Sequence, residues 1–190
     1  SRDGFVGKRN LSAQIRPQKR SASTSCFWSS KLSQVLKAVA SLGLDIPRIM
    51  VAPPGVEFPF PWVRTVGDRV FVSGHGPLLP DGGLAGPLGK VGVDVSIDEA
   101  RNAARLTALA MIASLAATGL DLDRLVWLRA FGMVNAAPGF TDCPNVINGF
   151  SDLIIAAFGI ERGNHARSAV GMFELPFGVP VEIEAELVLI

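Results

Sequence analysis

The sequence predicts an α+β domain in which helices cover one face of a mostly antiparallel β-sheet. Three features of the chain support this class. Runs of alternating apolar and polar residues are typical of strands, whereas two long stretches have the period of helices. Glycine- and proline-rich turns separate these segments. The predicted order is β-β-α-β-α-β-β, preceded by a short leading helix.

The first 29 residues are set apart from the predicted domain, residues 30–190, by their composition. They are rich in Arg and Ser, nearly free of acidic residues and without a clear period. This composition fits an organelle transit peptide, a disordered tail, upstream sequence read in frame or residues added by cloning. We therefore place the fold entirely within residues 30–190.

The predicted domain begins with a short amphipathic helix over residues 30–43. Ser29 or Ser30 is suited to cap the start of this helix, because a serine hydroxyl accepts from a free backbone N–H of the first turn. Gly43 is suited to end it. A Pro-rich loop over residues 46–61 then leads the chain into the sheet.

Two short strands, residues 62–66 and 69–73, are predicted to form a hairpin around Gly67-Asp68. The chain then enters a Gly- and Pro-rich loop that runs to Lys90. The glycines of this loop lack the spacing and the following helix of a dinucleotide fingerprint or a P-loop. The loop therefore gives no support to nucleotide binding.

A long helix is predicted to begin at Ser96 and to run to about Ala117, before Gly119. Ser96 and Glu99 have the spacing of a capping box, in which each side chain satisfies a backbone N–H of the other residue. The apolar residues of this helix form one stripe suited to packing on a sheet: Ala100, Ala103, Ala104, Thr107, Ala110, Met111 and Leu115.

The next predicted strand, residues 125–134, carries bulky apolar residues on both faces. A strand with two apolar faces is covered on both sides. One layer of helices covers one side, so we expect another subunit to cover the other. The two predicted faces are Leu125, Trp127, Phe131 and Met133, and Val126, Leu128 and Val134.

A second long helix is predicted over residues 145–158, with Asp142 as its cap and Gly159 as its end. A polar loop, residues 162–165, follows it. The residues expected to face inward are Phe150, Ile154, Ile155 and Phe158.

The last two alternating runs, residues 167–173 and 181–190, are predicted to pair as a hairpin. The second run places its apolar residues on one face and an acidic row on the other: Glu182, Glu184 and Glu186. Arg167 on the first strand is predicted to oppose this row. A cation beside an acidic row is the best candidate site in the chain, although a plain solvated sheet face explains the glutamates equally well.

The net charge of +1 hides an asymmetry between the two ends of the chain. Residues 1–31 hold seven Lys or Arg against one acidic residue, and the remainder holds eleven against sixteen. The predicted domain is therefore acidic, which argues against nucleic acid as its partner because the phosphate backbone requires basic surface.

Two cysteines, Cys26 and Cys143, do not make a disulfide framework, so a reducing compartment, the cytoplasm, is predicted. The mitochondrial matrix is the alternative if the first 29 residues are a transit peptide. The cysteines and the two histidines, His75 and His165, lack metal-site spacing, so neither a metal nor a cofactor is predicted. No apolar run approaches the length of a membrane span, so no membrane partner is expected.

The final strands carry a specific combination of short runs: Ala166-Arg167-Ser168-Ala169-Val170, Leu175-Pro176 and Val181-Glu182-Ile183-Glu184-Ala185, supported by Phe71-Val72-Ser73-Gly74 and the helix around Asn148. In these residues the chain resembles the Rid family, the reactive intermediate deaminases, also called the YjgF family and earlier labelled L-PSP endoribonuclease. The resemblance spans about residues 58–190. The runs VSGHGP, NAAPGFTD, VINGFSDL and HARSAVG resemble a longer, less characterised branch that also has a leading helix.

This resemblance implies a chorismate-mutase-like fold and a homotrimer with ligand sites between subunits. Arg167 matches the arginine that grips a substrate carboxylate, and Glu182 the glutamate that orients or activates water. Gly74 matches a glycine whose backbone approaches the ligand, and Asn148 an asparagine of the preceding helix. Structural roles remain open for each: an Arg167–Glu182 ion pair, a turn at Gly74 and a helix–loop hydrogen bond at Asn148.

The sequence departs from the deaminase pattern at two positions that the resemblance places in the pocket. Phe60 stands where that branch has a tyrosine, and Ala169 where it has a cysteine. A hydroxyl and a thiol are therefore absent. His75 could add a group that titrates near pH 7, although a lone loop histidine is more often structural.

Three functions are therefore predicted as alternatives. The first is hydrolytic deamination of 2-imino or enamine acids to 2-keto acids and ammonia, with Arg167 holding the carboxylate and Glu182 the water. The second is a trimeric module that binds small carboxylates or protein partners without chemistry, which Phe60 and Ala169 favour. The third, RNA cleavage, is suggested by the older family label and disfavoured by the acidic domain.

Overall fold

The strands and helices follow the predicted order in residues 33–50, 52 and 54–190, which are the residues described by the computed structural model. A short helix is present where the sequence predicts a polar loop. The elements are α1 (Gln34–Ser41), β1 (Val63–Val66), β2 (Arg69–His75), α2 (Ile97–Ala117), β3 (Leu125–Asn135), α3 (Cys143–Phe158), α4 (Ile160–Gly163), β4 (Ala166–Met172) and β5 (Val181–Leu189).

The sheet has the strand order β1-β2-β5-β3-β4. All neighbours are antiparallel except β3 and β4, which are parallel. The predicted final hairpin is therefore wrong, because β3 lies between β4 and β5. The alternating pattern identifies strands but does not name their neighbours. The apolar row of β5 is buried at the centre of the sheet, whereas β4, with Ala and Gly on its faces, lies at the edge.

A bulge in β3 divides its side chains between the faces differently from the prediction. The pairing with β5 shifts register between Trp127 and Arg129, and one extra residue reverses the face of everything beyond it. Trp127 is therefore only 1% exposed on the helix side, while Phe131 and Met133 are half-buried on the opposite face. The sequence placed these three side chains together because it assumed an unbroken period of two.

The core lies between the sheet and α2 and α3, with α1 packed on α3. Trp127 makes edge-to-face contacts with Phe150 and Phe158, with ring centroids 5.6 Å apart in each pair. The two long helices pack closely, since a Cβ at Gly149 would overlap the backbone carbonyl of Arg101. This face of the sheet is thereby covered.

The helix ends agree with the predictions at both ends of α2 and at the Gly159 end of α3, whereas the starts of α1 and α3 differ. The Ser96–Glu99 capping box is present. Ser33 caps α1, together with the carboxylate of Asp123, whereas the predicted caps at residues 29 and 30 lie outside the described residues. Asp142 precedes α3 without capping it, since its carboxylate accepts from the Asn145 side chain instead.

The other face of the sheet carries polar and aromatic side chains instead of helices. A shallow depression of about 230 Å³ lies there, lined by Phe71, Ser73, Arg129, Phe131, Glu184 and Glu186. We call this whole helix-free face of the sheet the open face. Within the described part of the chain, no helix combines the length and apolar character needed to cross a membrane.

Candidate functional site

Arg167 lies on the edge strand β4 and points to the helix side of the sheet. It pairs in register with buried Ala130 of β3, and paired residues of neighbouring strands point to the same face. Its guanidinium donates to three groups of α3: the Ser151 hydroxyl at 2.9 Å, the Asn148 side-chain oxygen at 2.6 Å and the Pro144 carbonyl at 3.2 Å. The structure therefore brings Arg167 and Asn148 into direct contact.

All three acceptors around Arg167 are neutral. Within the described residues, no carboxylate lies within ion-pair distance of this half-buried guanidinium. Three hydrogen bonds leave two of its five N–H donors free. An arginine held in place by neutral groups keeps its positive charge uncompensated, and a carboxylate ligand would neutralise it.

Glu182 lies on β5 and points to the open face. Its neighbours Val181 and Ile183 are fully buried on the helix side, so the alternation of the strand places Glu182 on the opposite side. Burial raises the pKa of this half-buried carboxyl group, and the charge of Glu184 raises it further. A carboxylate of raised pKa is a stronger proton acceptor than an ordinary glutamate.

Gly74 lies directly beneath the Glu182 carboxylate. A Cβ at Gly74 would overlap the Glu182 carboxyl oxygen. The end of β2 therefore leaves a space without a side chain, and the glutamate occupies it. The structure brings these two predicted site residues together.

Arg167 and Glu182 lie on opposite faces of the sheet, with β3 between their strands. The predicted arrangement, in which Arg167 opposes the acidic row, is therefore wrong, and so is the structural ion pair between these residues. The error arises because the sequence analysis paired β4 directly with β5, whereas β3 lies between them. The cation that contacts the acidic row is Arg69 of β2, which forms an ion pair with Glu186 at 2.7 Å.

His75 is buried on the helix side, at 3% exposure. Its Nδ1 lies 2.6 Å from the Ser73 carbonyl and its Nε2 lies 2.8 Å from the Ser114 hydroxyl of α2. Burial lowers the pKa of His75 to about 4, against the opposing effect of the Ser73 hydrogen bond. The sequence left a group titrating near pH 7 and a structural role open for this histidine, and the buried, desolvated ring supports the structural role.

The remaining predicted residues, Ala169 and Phe60, pack against apolar or aromatic neighbours. Ala169 is half-buried on the same face of β4 as Arg167, and it packs against the core. Phe60 is 45% exposed and packs edge-on against Phe58 and Trp62, with ring centroids 5.7 and 5.5 Å away. Among the described residues, no cluster of His, Cys, Asp or Glu is arranged to hold a metal ion.

Ser151 and the Pro144 carbonyl are site groups that the sequence reasoning missed. Pro144, Asn148 and Ser151 recur at intervals of four and three residues along α3 and therefore share one helical face. This spacing was visible in the sequence. It indicates a site only when the strand that carries Arg167, β4, is known to face this side of α3.

The fold and the site define a class: an α+β domain with a half-buried arginine on one face of its sheet and a half-buried glutamate on the other. The chain belongs to the Endoribonuclease L-PSP family, whose model matches residues 54–188. It is also similar to Protein TCP17 of Trypanosoma cruzi, with 43% identity over 122 residues, which covers 63% of this chain and 74% of that protein.

Solved structures agree with this assignment. A protein of unknown function from Agrobacterium tumefaciens is 34% identical, with a TM-score of 0.71 over 82% of this chain and 91% of that one. A Shewanella oneidensis protein is 28% identical, with a TM-score of 0.72 over 82% of this chain and 99% of that one. The E. coli YjgF gene product, 22% identical with a TM-score of 0.50, covers 75% and 96% of the two chains and shares the fold. The YjgF-like fold and the family resemblance are therefore confirmed.

Proposed function

We propose that this protein hydrolyses 2-imino or enamine acids to 2-keto acids and ammonia. The observation that carries the proposal is the state of Arg167: a half-buried guanidinium, fixed by three neutral acceptors, with two donors left for a carboxylate. Such a group holds a small carboxylate ligand in one orientation. An imine needs little more, because positioning of the substrate and of water supplies much of its catalysis.

Glu182 supplies the proton transfer in this proposal. Its carboxylate accepts a proton from water as the oxygen attacks the carbon of the protonated imine. Glu182 returns this proton to the nitrogen of the resulting carbinolamine. The C–N bond then breaks and ammonia leaves, while the hydroxyl gives its proton back to the Glu182 carboxylate and the C=O bond forms. The raised pKa of Glu182 favours this step, because it makes the carboxylate a stronger base than an ordinary glutamate.

A site that uses both Arg167 and Glu182 on one substrate must take them from two copies of the chain. One small molecule cannot contact both faces of a sheet, whose side chains point in opposite directions. We therefore propose that Arg167 of one copy and Glu182 of another complete each site in a homotrimer. The open face, with half-buried Phe71 and Phe131, and the unpaired edge of β4 are the surfaces that such an assembly would cover.

The first experiment compares hydrolysis of freshly generated 2-imino acids by the parent and by Arg167→Ala. We expect kcat/KM to fall by about 100-fold or more, because the substrate loses its charge-assisted anchor. Arg101→Ala is the matched control, since Arg101 also donates to α3, at Asp152, but belongs to an exposed ion pair. Equal activity in the parent and in Arg167→Ala would remove the proposal.

A mixing experiment tests the shared site. Arg167→Ala and Glu182→Gln chains are inactive alone, but refolding them together creates sites in which a native Arg167 meets a native Glu182. Random assembly restores about a quarter of the sites if the two residues come from different chains. No recovery would place both residues in one chain and would contradict the arrangement.

A binding module without chemistry is the second candidate. Its supporting observations are the apolar Phe60 and Ala169 and the neutral, buried His75, which leave few proton donors. Saturable binding of 2-keto acids by the parent, lost in Arg167→Ala, with no hydrolysis of any imine, would select it. The RNA cleavage named in the family description is disfavoured by the three glutamates on the open face.

A further inference from the structure

Behind Arg167 the structure contains a chain of hydrogen bonds that the proposed reaction does not use. The Ser151 hydroxyl, which accepts from Arg167 at 2.9 Å, lies 3.1 Å from Nε2 of His165. Nδ1 of the same ring lies 2.7 Å from the backbone carbonyl of Gly163. His165 lies two residues before Arg167 in the sequence. The Ser151 hydroxyl of α3 connects the two side chains a second time.

The chemistry of the groups fixes the direction of each bond. A carbonyl oxygen only accepts, so Nδ1 of His165 carries a proton and donates it to Gly163. In a neutral imidazole Nε2 is then an acceptor, and the Ser151 hydroxyl donates to it. The lone pairs of Ser151 remain for Arg167. Every donor in this series of hydrogen bonds thus has one acceptor, and a neutral His165 ring allows no other arrangement.

The surroundings of His165 keep the ring neutral. It packs against Phe150 and Trp127, with ring centroids 5.6 and 6.2 Å away. Burial lowers the pKa of His165; the Gly163 hydrogen bond opposes this, and the charge of Arg167 lowers the pKa further. A protonated His165 ring would donate from both nitrogens. Only the Ser151 oxygen would then separate its positive charge from that of Arg167.

We propose that Ser151 and His165 are positioning residues that orient the Arg167 guanidinium for a substrate carboxylate. This inference rests on the proposed function of Arg167 as the carboxylate anchor. Neither residue touches the ligand. Ser151 fixes one end of the guanidinium fork, and His165, itself fixed by the Gly163 backbone, removes the rotational freedom of the Ser151 hydroxyl.

The geometry has a direct test that does not require activity. Nitrogen NMR of His165 in the full chain at pH 7 should show the neutral tautomer with its proton on Nδ1. A ring protonated on Nε2, or on both nitrogens, would overturn the proposal because Ser151 could then no longer donate to it. His75→Gln leaves His165 as the one histidine signal and simplifies the assignment.

The functional test is a double-mutant cycle on KM for a 2-imino acid and on Kd for pyruvate. Ser151→Ala should raise both by about tenfold, the usual effect of one hydrogen bond to a charged group, with kcat nearly unchanged. His165→Phe should raise them by less. In the Ser151→Ala background, His165→Phe should add nothing, because it acts only through the hydroxyl. Ser151→Thr, which keeps the hydroxyl, should restore the parent values.

The outcomes separate this inference from the proposed function. If Arg167→Ala abolishes binding while Ser151→Ala and His165→Phe leave KM and Kd unchanged, or act additively, the positioning role is rejected and the anchor stands. If Arg167→Ala has no effect on either ligand, both proposals fail. Ser114→Ala, which removes the equivalent hydroxyl from His75, is the matched control and should leave KM and Kd unchanged.

Discussion

The two histidines of the chain occupy sites of the same design. In each, Nδ1 lies within hydrogen-bond distance of the carbonyl two residues earlier, Ser73 for His75 and Gly163 for His165. In each, Nε2 meets a serine hydroxyl of a long helix. The difference lies beyond the serine. Among the described residues, Ser114 bonds to His75 alone, whereas the serine facing His165 continues to Arg167.

Under the proposed role of Arg167 as a carboxylate anchor, this difference separates a structural histidine from a positioning one. His75 ties the end of β2 to α2 in a fully buried place, and the network ends there. His165 is half-buried and passes its orientation to a guanidinium at the edge of the sheet. The same local geometry therefore supports different roles, and the group at the end of the hydrogen-bond chain decides which.

The largest expected effect is on the pH dependence of stability, and it belongs to His75. Its pKa is about 4 in the fold against an ordinary value of 6.5. The unfolded chain therefore binds the proton more readily, so the stabilisation is complete above pH 6.5 and is lost as the pH falls towards 4. The loss amounts to roughly 3 kcal/mol, at 1.36 kcal/mol per pKa unit. Urea unfolding at pH 7, 5.5 and 4 measures it.

The control is His75→Gln, which retains hydrogen-bonding groups but does not titrate. Other groups also titrate between pH 7 and 4, so the difference between the parent and this variant isolates the contribution of His75. The free energy of unfolding of the parent relative to His165→Gln should also fall as the pH falls. This fall should be smaller than for His75, because the ring of His165 is only half-buried. Parallel pH profiles for the parent and His75→Gln would show that the ring is not desolvated.

The next effect compares the two serines. Ser114→Ala leaves the buried Nε2 of His75 without its donor and should lower the free energy of unfolding by about 1–3 kcal/mol at pH 7. Ser151→Ala should cost less than about 1 kcal/mol, because water can reach its half-buried partners. The order of the two losses is measured by urea unfolding. A larger loss at Ser151 would reverse the assignment of structural and functional roles.

The fold was largely predictable from periodicity, and its errors have definite causes. The capping box identified the start of α2, and helical stripes identified α2 and α3, because these signals depend on residues close in sequence. The neighbours of β4 and β5 depend on which strands are buried at the sheet centre, which no local pattern states. The bulge at Trp127 in β3 has no glycine or proline to mark it, so the faces beyond it were assigned in reverse.

The sequence supplied the candidate residues one by one through the resemblance, but not their arrangement. Arg167 contacts Asn148 and Glu182 lies over Gly74, and the sequence reasoning stated neither of these pairs. Their separation by the sheet follows from the strand order and could not be predicted once β4 and β5 were paired. The buried state of His75 was equally hidden, because Ser114 lies 39 residues away in the chain.

The smallest expected effect concerns Glu182, a group with a pKa shifted in the opposite direction from those of the histidines. Because burial raises its pKa, its contribution to stability is present below its ordinary value of 4.5 and is lost as the pH rises through the folded value. Glu182→Gln should therefore leave the stability of the chain at pH 7 within about 1 kcal/mol of the parent, or slightly above it, while removing imine hydrolysis. Urea unfolding and the hydrolysis assay measure the two effects. A buried ion pair with Arg167 would instead cost about 3–5 kcal/mol on removal of one partner, so a loss of that size would restore the single-chain site that the two faces of the sheet exclude.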